Sequence, residues 1–143
     1  MLATTQRMIP ACFDTEVATI PVPDPVHRLL SLLSSLDADQ IAGLLSEDAR
    51  LHTSQGVVAV GRSRIRKELM RAISPLISIH CVPAVVWAKD NVSVIEADLR
   101  CERMDGSRVA FPVTLILCLR NLLICDIRLF TYEPSVISNF LMI

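Results

Sequence analysis

The order of the patterns along the chain is the feature that most limits its fold. Three amphipathic helical stretches come first, and four strand-like runs then fill residues 77–133 with no helix between them. Strands joined by short turns form an antiparallel sheet, and helices gathered before that sheet must cover one of its faces. The sequence therefore predicts an α+β fold with a curled sheet and a pocket.

Local signals place the helices. Asp24 is suited to cap a first helix with Pro25 at its first position, and apolar residues then recur on one face as far as Leu36. Asp37, with Gln40 three residues later, forms a capping box for a second short helix, which we expect to end near residues 46–48. A third helix is predicted between Gly61 and Pro75.

Turn residues separate the predicted strands. Residues 49–53 and 57–60 form a small hairpin around the turn at residues 54–56. The long strands follow at residues 77–88, 92–103, 108–120 and 122–132. Residues 1–24 show no periodicity and are predicted to be an N-terminal extension, with a single domain over residues 25–143.

The apolar content indicates a partner. The chain is 52% hydrophobic over 143 residues, and its mean hydropathy is +0.48. Its longest uncharged apolar run, residues 109–119, is shorter than the roughly 18 residues of a membrane span, so we expect no membrane partner. We instead expect a homodimer in which a second copy covers one face of the sheet.

Charge and cysteine usage exclude several functions. A net charge of −1 gives no case for nucleic acid. A basic cluster is interpreted as a solvated helix face, with an anion site as the alternative; it comprises Arg62, Arg64, Arg66, Lys67 and Arg71. Five cysteines, with no CxxC or Cys/His spacing, indicate a reducing compartment and no metal site, so we expect a cytoplasmic protein that uses no cofactor.

The segment LLSLLSSLDADQIAGLLSEDARLHT, followed by VGRSRIRKEL, carries a family resemblance. It resembles the opening of the SnoaL-like and ketosteroid-isomerase-like branch of the NTF2-like superfamily. The resemblance covers about residues 25–137 and implies a cone-shaped, cystatin-like α+β barrel. In that fold a curved, mixed or antiparallel sheet wraps around the N-terminal helices and leaves an apolar cavity. The superfamily includes isomerases, cyclases, dehydratases, epoxide hydrolases and binding modules.

Ketosteroid isomerases of this superfamily use an aspartate base and hold the oxyanion with a tyrosine and a second aspartate. The resemblance places the base at Thr53, the second aspartate at Thr114 and the tyrosine at Leu29. None of the three side chains is retained. A steroid-type proton shuttle therefore has no carboxylate to carry it.

The resemblance also implies which strand positions face the cavity. Thr53, Thr114 and Thr131 would orient a ligand through their hydroxyls, with bonding to the strand backbone or to a neighbouring threonine as the alternative. The apolar part of the predicted binding wall comprises Leu99, Cys101, Ile116 and Leu129. A polar row falls on the opposite face, with Glu96, Asp98, Arg100 and Glu102 on one strand and Asp126 and Arg128 on another. We interpret it as cross-strand ion pairing on an exposed or dimer-facing sheet, with a catalytic cluster as the alternative.

Histidine is the remaining catalytic possibility. Of His27, His52 and His80, only His80 is predicted to point into the cavity, where it would act as acid or base. A buried histidine bonded to a backbone carbonyl is the alternative.

Two functions therefore stay open. The first is a cofactor-independent isomerase, cyclase or dehydratase that acts on a small apolar molecule through His80. The second is a non-catalytic ligand-binding or dimerisation module of the same fold.

Overall fold

The computed structural model describes residues 22–54 and 56–131. Within them lie three helices, α1 (Asp24–Leu32), α2 (Ala38–Ala42) and α3 (Arg62–Ile73). The strands are β1 (Leu45–Thr53), β2 (Gly56–Val60), β3 (Leu76–Lys89), β4 (Val92–Arg103), β5 (Arg108–Arg120) and β6 (Leu123–Thr131). The predicted α+β class is confirmed. The predicted N-terminal extension lies almost wholly outside the described residues and stays a prediction.

All six strands form one curved, mixed sheet in the order β2-β1-β6-β5-β4-β3. Consecutive strands from β3 to β6 pair antiparallel through short turns, as the turn residues predict. β1 pairs with β6 in parallel, which joins the first strand of the chain to the last. This parallel pair brings the helices over one side of the sheet, which we call the inner face; the opposite side is the outer face.

The Asp37 cap of α2 is confirmed, but the reciprocal bond of a capping box is not formed, because the backbone N–H of Asp37 donates to the Ser35 hydroxyl at 3.2 Å. The Asp37 carboxylate accepts the backbone N–H of Gln40 at 3.1 Å, and the Gln40 side-chain amide donates to the other carboxylate oxygen at 2.7 Å. The predicted end of this helix near residues 46–48 is wrong, because α2 ends at Ala42 and β1 begins at Leu45. Pairing with β6 starts there, where the backbone N–H of Ile124 donates to the carbonyl of Leu44 at 2.9 Å.

The core lies between the inner face and the helices. Its members are at most 8% exposed, and burial of each large side chain stabilises the fold by about 1.5–3 kcal/mol. The sheet contributes Ile95, Ala97, Cys101, Phe111, Val113, Leu115, Leu117, Ile124 and Ile127, and the helical layer and its loops contribute Val26, Leu29, Ile41, Leu44 and Ile65.

The inward side of β5 differs from the prediction. The structure buries Phe111, Val113, Leu115 and Leu117, so the predicted cavity residues Thr114 and Ile116 point outward. Val113 pairs with buried Ala97, whereas Thr114 pairs with exposed Glu96. Because β5 is apolar on both sides, its own alternation carries no polar mark, and its register with β4 decides which side is buried.

Ser93 is the polar exception in this core. Its side chain is fully buried between the cross-strand neighbours Ala88 and Leu117, and its hydroxyl has no hydrogen-bond partner among the described residues. A buried hydroxyl without a partner has lost its hydration and gained nothing in exchange.

We expect Ser93→Ala to raise the free energy of unfolding by about 1 kcal/mol, because it removes an unsatisfied buried group. Urea unfolding followed by circular dichroism measures the change. Ser78→Ala, on the outer face of β3, is the matched control and should change the stability by less than about 0.5 kcal/mol. A loss of stability in Ser93→Ala would show that the hydroxyl has a partner in solution.

Candidate functional site

Five of the predicted ligand-binding residues lie on the inner face. Thr53 pairs with Leu129, which pairs with Leu115, and Thr131 pairs with Val113; residues paired in register share a face. Thr53, Thr131, Leu129 and Leu99 are all partly exposed.

Cys101 belongs to the same face but is only 3% exposed, so it lies in the packed core. Cys81, the cross-strand neighbour of Leu99, is half-buried. Its backbone N–H donates to the Ser34 hydroxyl at 3.3 Å, which places it against the turn after α1. We call Thr53, Cys81, Leu99, Leu129 and Thr131 the inner rim, because they combine the inner face with access to solvent.

The other two predicted ligand-binding residues are not part of this wall. Thr114 and Ile116 lie on the outer face, paired with Glu96 and Val94 respectively. Their predicted inward orientation is wrong for the reason given above for β5.

His80 also lies on the outer face. It is exposed and pairs with Arg100, so its predicted orientation into the cavity is wrong. The cause is an irregularity between Pro83 and Val85, where Ala84 is an extra residue in β3. Alternation counted back from buried Ala88 would place His80 inside, and the extra residue reverses that count. A catalytic role for His80 stays a prediction.

The structure instead brings a different histidine to a carboxylate. His52 Nε2 lies 2.8 Å from Asp126 Oδ1, and Arg128 Nε donates to Asp126 Oδ2 at 3.0 Å. The side chains of His52 and Asp126 are 20% and 18% exposed. An ionised carboxylate can only accept, so the Nε2–H of His52 faces Asp126 and this contact fixes the orientation of the ring.

Sequence reasoning placed Asp126 and Arg128 on the outer face and His52 outside the cavity, but it did not pair them. The two partners are 74 residues apart. They meet because β1 and β6 are parallel neighbours, with His52 in register with Arg128. Without that pairing, the sequence carries no signal of the contact.

The polar row on β4 lies outward, as predicted, and borders a depression. Its volume is about 270 Å³. The residues that line it are Ala84, Glu96, Ala97, Asp98, Pro112, Val113, Thr114, Phe130 and Thr131. Glu102 pairs with Arg108 at 3.5 Å, which agrees with the ion-pair interpretation. Glu96, Asp98 and Arg100 are exposed and form no ion pair within residues 22–54 and 56–131.

The basic cluster on α3 is largely engaged in surface ion pairs. Arg66 pairs with Asp39, Arg71 with Glu68, and Arg62 with Glu47 at 3.7 Å. These contacts and the exposure of Arg64 and Lys67 agree with a solvated helix face.

The thiols are ordinary buried or half-buried groups. Burial raises the pKa of Cys81 and that of Cys101 to about 11. Among the described residues, no group of three or more histidine, cysteine or acidic side chains is arranged to hold a metal ion. No helix in the described part of the chain has the length and apolar character needed to cross a bilayer. The cytoplasmic location stays a prediction.

A comparison with known protein families identifies the family of this chain. The SnoaL-like domain family matches residues 26–127. The chain belongs to this family. No curated protein matches the sequence.

Solved structures share the fold of this SnoaL-like domain at low sequence identity. A candidate polyketide cyclase from Xanthomonas campestris pv. campestris is 17% identical with a TM-score of 0.70, over 80% of this chain and 92% of its own. An epoxide hydrolase from M. tuberculosis, similar to the LEH type, is 17% identical with a TM-score of 0.68, over 82% and 87%. A ketosteroid isomerase-like protein from Catenulispora acidiphila, bound to trimethylamine, is 16% identical with a TM-score of 0.68, over 76% and 85%. The neighbours establish the NTF2-like fold of this chain.

We expect Cys81 to be alkylated slowly by iodoacetamide, because a pKa of about 11 leaves about one thiol in a thousand ionised at pH 8. The rate should rise about tenfold per pH unit up to pH 10. Site-resolved mass spectrometry measures it, and the protein in urea serves as control, where a thiol near its ordinary pKa of 9.0 reacts about a hundredfold faster at pH 8. Equal rates in the folded and unfolded protein would contradict the shift.

Proposed function

We propose that this SnoaL-like domain is a non-catalytic module that holds a small apolar molecule against its inner rim and forms a homodimer through its outer face. The observation that carries the first part is the chemistry of the inner face. Its described side chains are apolar groups, thiols and hydroxyls, apart from Arg103 at the end of β4, which is in register with buried Leu76. The carboxylates and histidines of the long strands lie outside.

Such a wall binds by burial of apolar surface and orients its ligand with a few hydroxyls. Leu99 and Leu129 supply partly exposed apolar surface, and Thr131 supplies a hydroxyl near them. General acid–base chemistry would need an ionisable group within hydrogen-bond reach of the ligand. Within residues 22–54 and 56–131, the inner rim contains only the Cys81 thiol, which keeps its proton at neutral pH because its pKa is raised.

The outer face supports the dimer. Three large apolar side chains on this face are exposed to solvent. Val82 and Trp87 of β3 are each 44% exposed, and Phe130 of β6 is 38% exposed. Exposed Pro112 and Ala110 and half-buried Val94 and Ile116 extend this surface across β4 and β5. Exposed apolar side chains on one face are typical of a face that meets another protein, and here the charges of β4 lie between them.

An enzyme of isomerase, cyclase or dehydratase type is the second candidate. The observation that favours it is the His52–Asp126 contact at 2.8 Å, since a carboxylate that orients an imidazole is a common arrangement of catalytic bases. The similar folds of a candidate polyketide cyclase and an epoxide hydrolase support testing aldol-type cyclisation and epoxide opening as reactions. In this candidate His52, rather than His80, is the base. Turnover that is lost in His52→Ala and kept in His80→Ala would favour it over the binding module.

We expect the purified domain to bind Nile red, a neutral apolar fluorophore, and Leu99→Asn to weaken that binding about tenfold. The substitution replaces an apolar contact on the inner rim with an amide, which costs about 1.5 kcal/mol because Leu99 is only partly buried. Fluorescence titration measures the dissociation constant, and native mass spectrometry of the same sample detects any molecule that copurifies.

Arg100→Asn is the matched control for this experiment, because it places the same amide one residue along β4 on the outer face. It should leave binding of the dye unchanged. No binding by the original chain, or an equal loss in both variants, would contradict the inner-rim site.

We expect light scattering to give twice the chain mass of 15.8 kDa, and Val82→Asn to weaken the dimer about tenfold. The reason is that the substitution places a polar amide in the apolar part of the outer face. Met70→Asn is the matched control, since Met70 is 45% exposed but lies on α3. A monomeric mass for the original chain at 100 µM would contradict the dimer.

A further inference from the structure

Three charges on the outer face of β4 lack a partner of opposite sign among the residues that the structure describes. Glu96, Asp98 and Arg100 occupy successive outward positions, and each is exposed. Glu96 lies between Val85 and Thr114, Asp98 between Val82 and Pro112, and Arg100 between His80 and Ala110. Within β3 and β5, no carboxylate therefore stands opposite Arg100, and no cation stands opposite either acid.

The order of these charges is self-complementary under one symmetry. A dimer with a two-fold axis applies each contact twice, with residue i on residue j and j on i. An axis that passes between Asp98 and Arg100 would bring each Arg100 against the other copy's Asp98. An axis through Asp98 would set Arg100 against Glu96 but would also set the two Asp98 carboxylates against each other. An axis between Arg100 and Glu102 would set Arg100 against Glu102, whose carboxylate already lies 3.5 Å from Arg108.

We propose that the two outer faces meet around an axis between Asp98 and Arg100 of β4, so that Arg100 of each copy enters the other copy's depression. This inference rests on the homodimer proposed above, and adds to it the register and the residue that one copy contributes to the other's cavity.

The depression has the chemistry of an arginine site. Glu96 and Asp98 supply carboxylates and Thr114 a hydroxyl, and Phe130 supplies an exposed ring face. A guanidinium group binds carboxylates in a planar, forked geometry and stacks on aromatic rings, which a point charge does less well. The volume of about 270 Å³ equals that of roughly nine water molecules at about 30 Å³ each, enough for the head of one arginine.

The apolar surroundings favour the same register. Val82 and Pro112 lie in the row of Asp98, and Ala110 lies in the row of Arg100. The proposed axis therefore sets Pro112 of one copy over Ala110 of the other, and Val82 over His80, around two buried ion pairs. Arginine is enriched at the centres of such interfaces.

A heterodimer experiment tests the register. Arg100→Glu alone would set a carboxylate of one copy against Asp98 of the other at both contacts, and Asp98→Arg alone would set two arginines together at both contacts. Each variant should raise the dimer dissociation constant at least tenfold by sedimentation velocity. An equimolar mixture of the two variants should form a heterodimer with a dissociation constant within about threefold of the original, because both contacts then join opposite charges.

The outcomes separate the register from the dimer itself. A monomeric original chain overturns both. A dimer that Val82→Asn weakens, but that Arg100→Glu and Asp98→Arg leave unchanged, overturns the register and keeps the dimer. Two weakened variants whose mixture stays monomeric overturn the Asp98–Arg100 contact. Arg64→Glu, an exposed charge reversal on α3, is the control and should leave the dimer unchanged, and circular dichroism verifies that each variant is folded.

Discussion

The parallel pairing of β1 with β6 is the contact on which the rest of the structure depends. It joins residues about 75 positions apart, and a contact across so long a loop carries a substantial entropic cost before it stabilises anything. Burial compensates for that cost: Leu45, Ala49 and Ile124 are all fully buried where the two strands meet. The same pairing carries the helical layer onto the inner face and sets His52 beside Asp126.

The two central strands explain why the sheet has two unlike faces. β4 alternates strictly, with Ile95 and Ala97 inward and Glu96 and Asp98 outward, so its own pattern specifies its orientation. β5 is apolar on both sides and takes its orientation from β4. The outer face consequently mixes apolar residues from β5 with charges from β4, of which Glu96, Asp98 and Arg100 form no ion pair among the described residues. In a single copy the apolar residues and the charges are both exposed. The same face of a second copy would bury the apolar residues and neutralise the charges.

The separation of chemistry between the faces bears on function. The described inner face carries threonines and thiols beside apolar side chains. The His52–Asp126–Arg128 network lies outside, on the face that the proposed dimer would use. The chain thus has the fold of the SnoaL-like family, with the carboxylates and histidines of its long strands on the exterior of the sheet.

The sequence by itself determined the fold class, the family, the Asp37 cap of α2, most strand boundaries and the outward side of β4. Each of these depends on residues close together in the chain, or on an alternation in which polar residues mark one side. The tertiary structure alone decided the inward side of β5, the exposure of His80 and the contact of His52 with Asp126. A strand that is apolar on both sides has no polar residues to show which side faces outward. The extra residue Ala84 reverses the alternation of β3 without any signal in the sequence. A parallel strand pair joins residues that no local pattern connects.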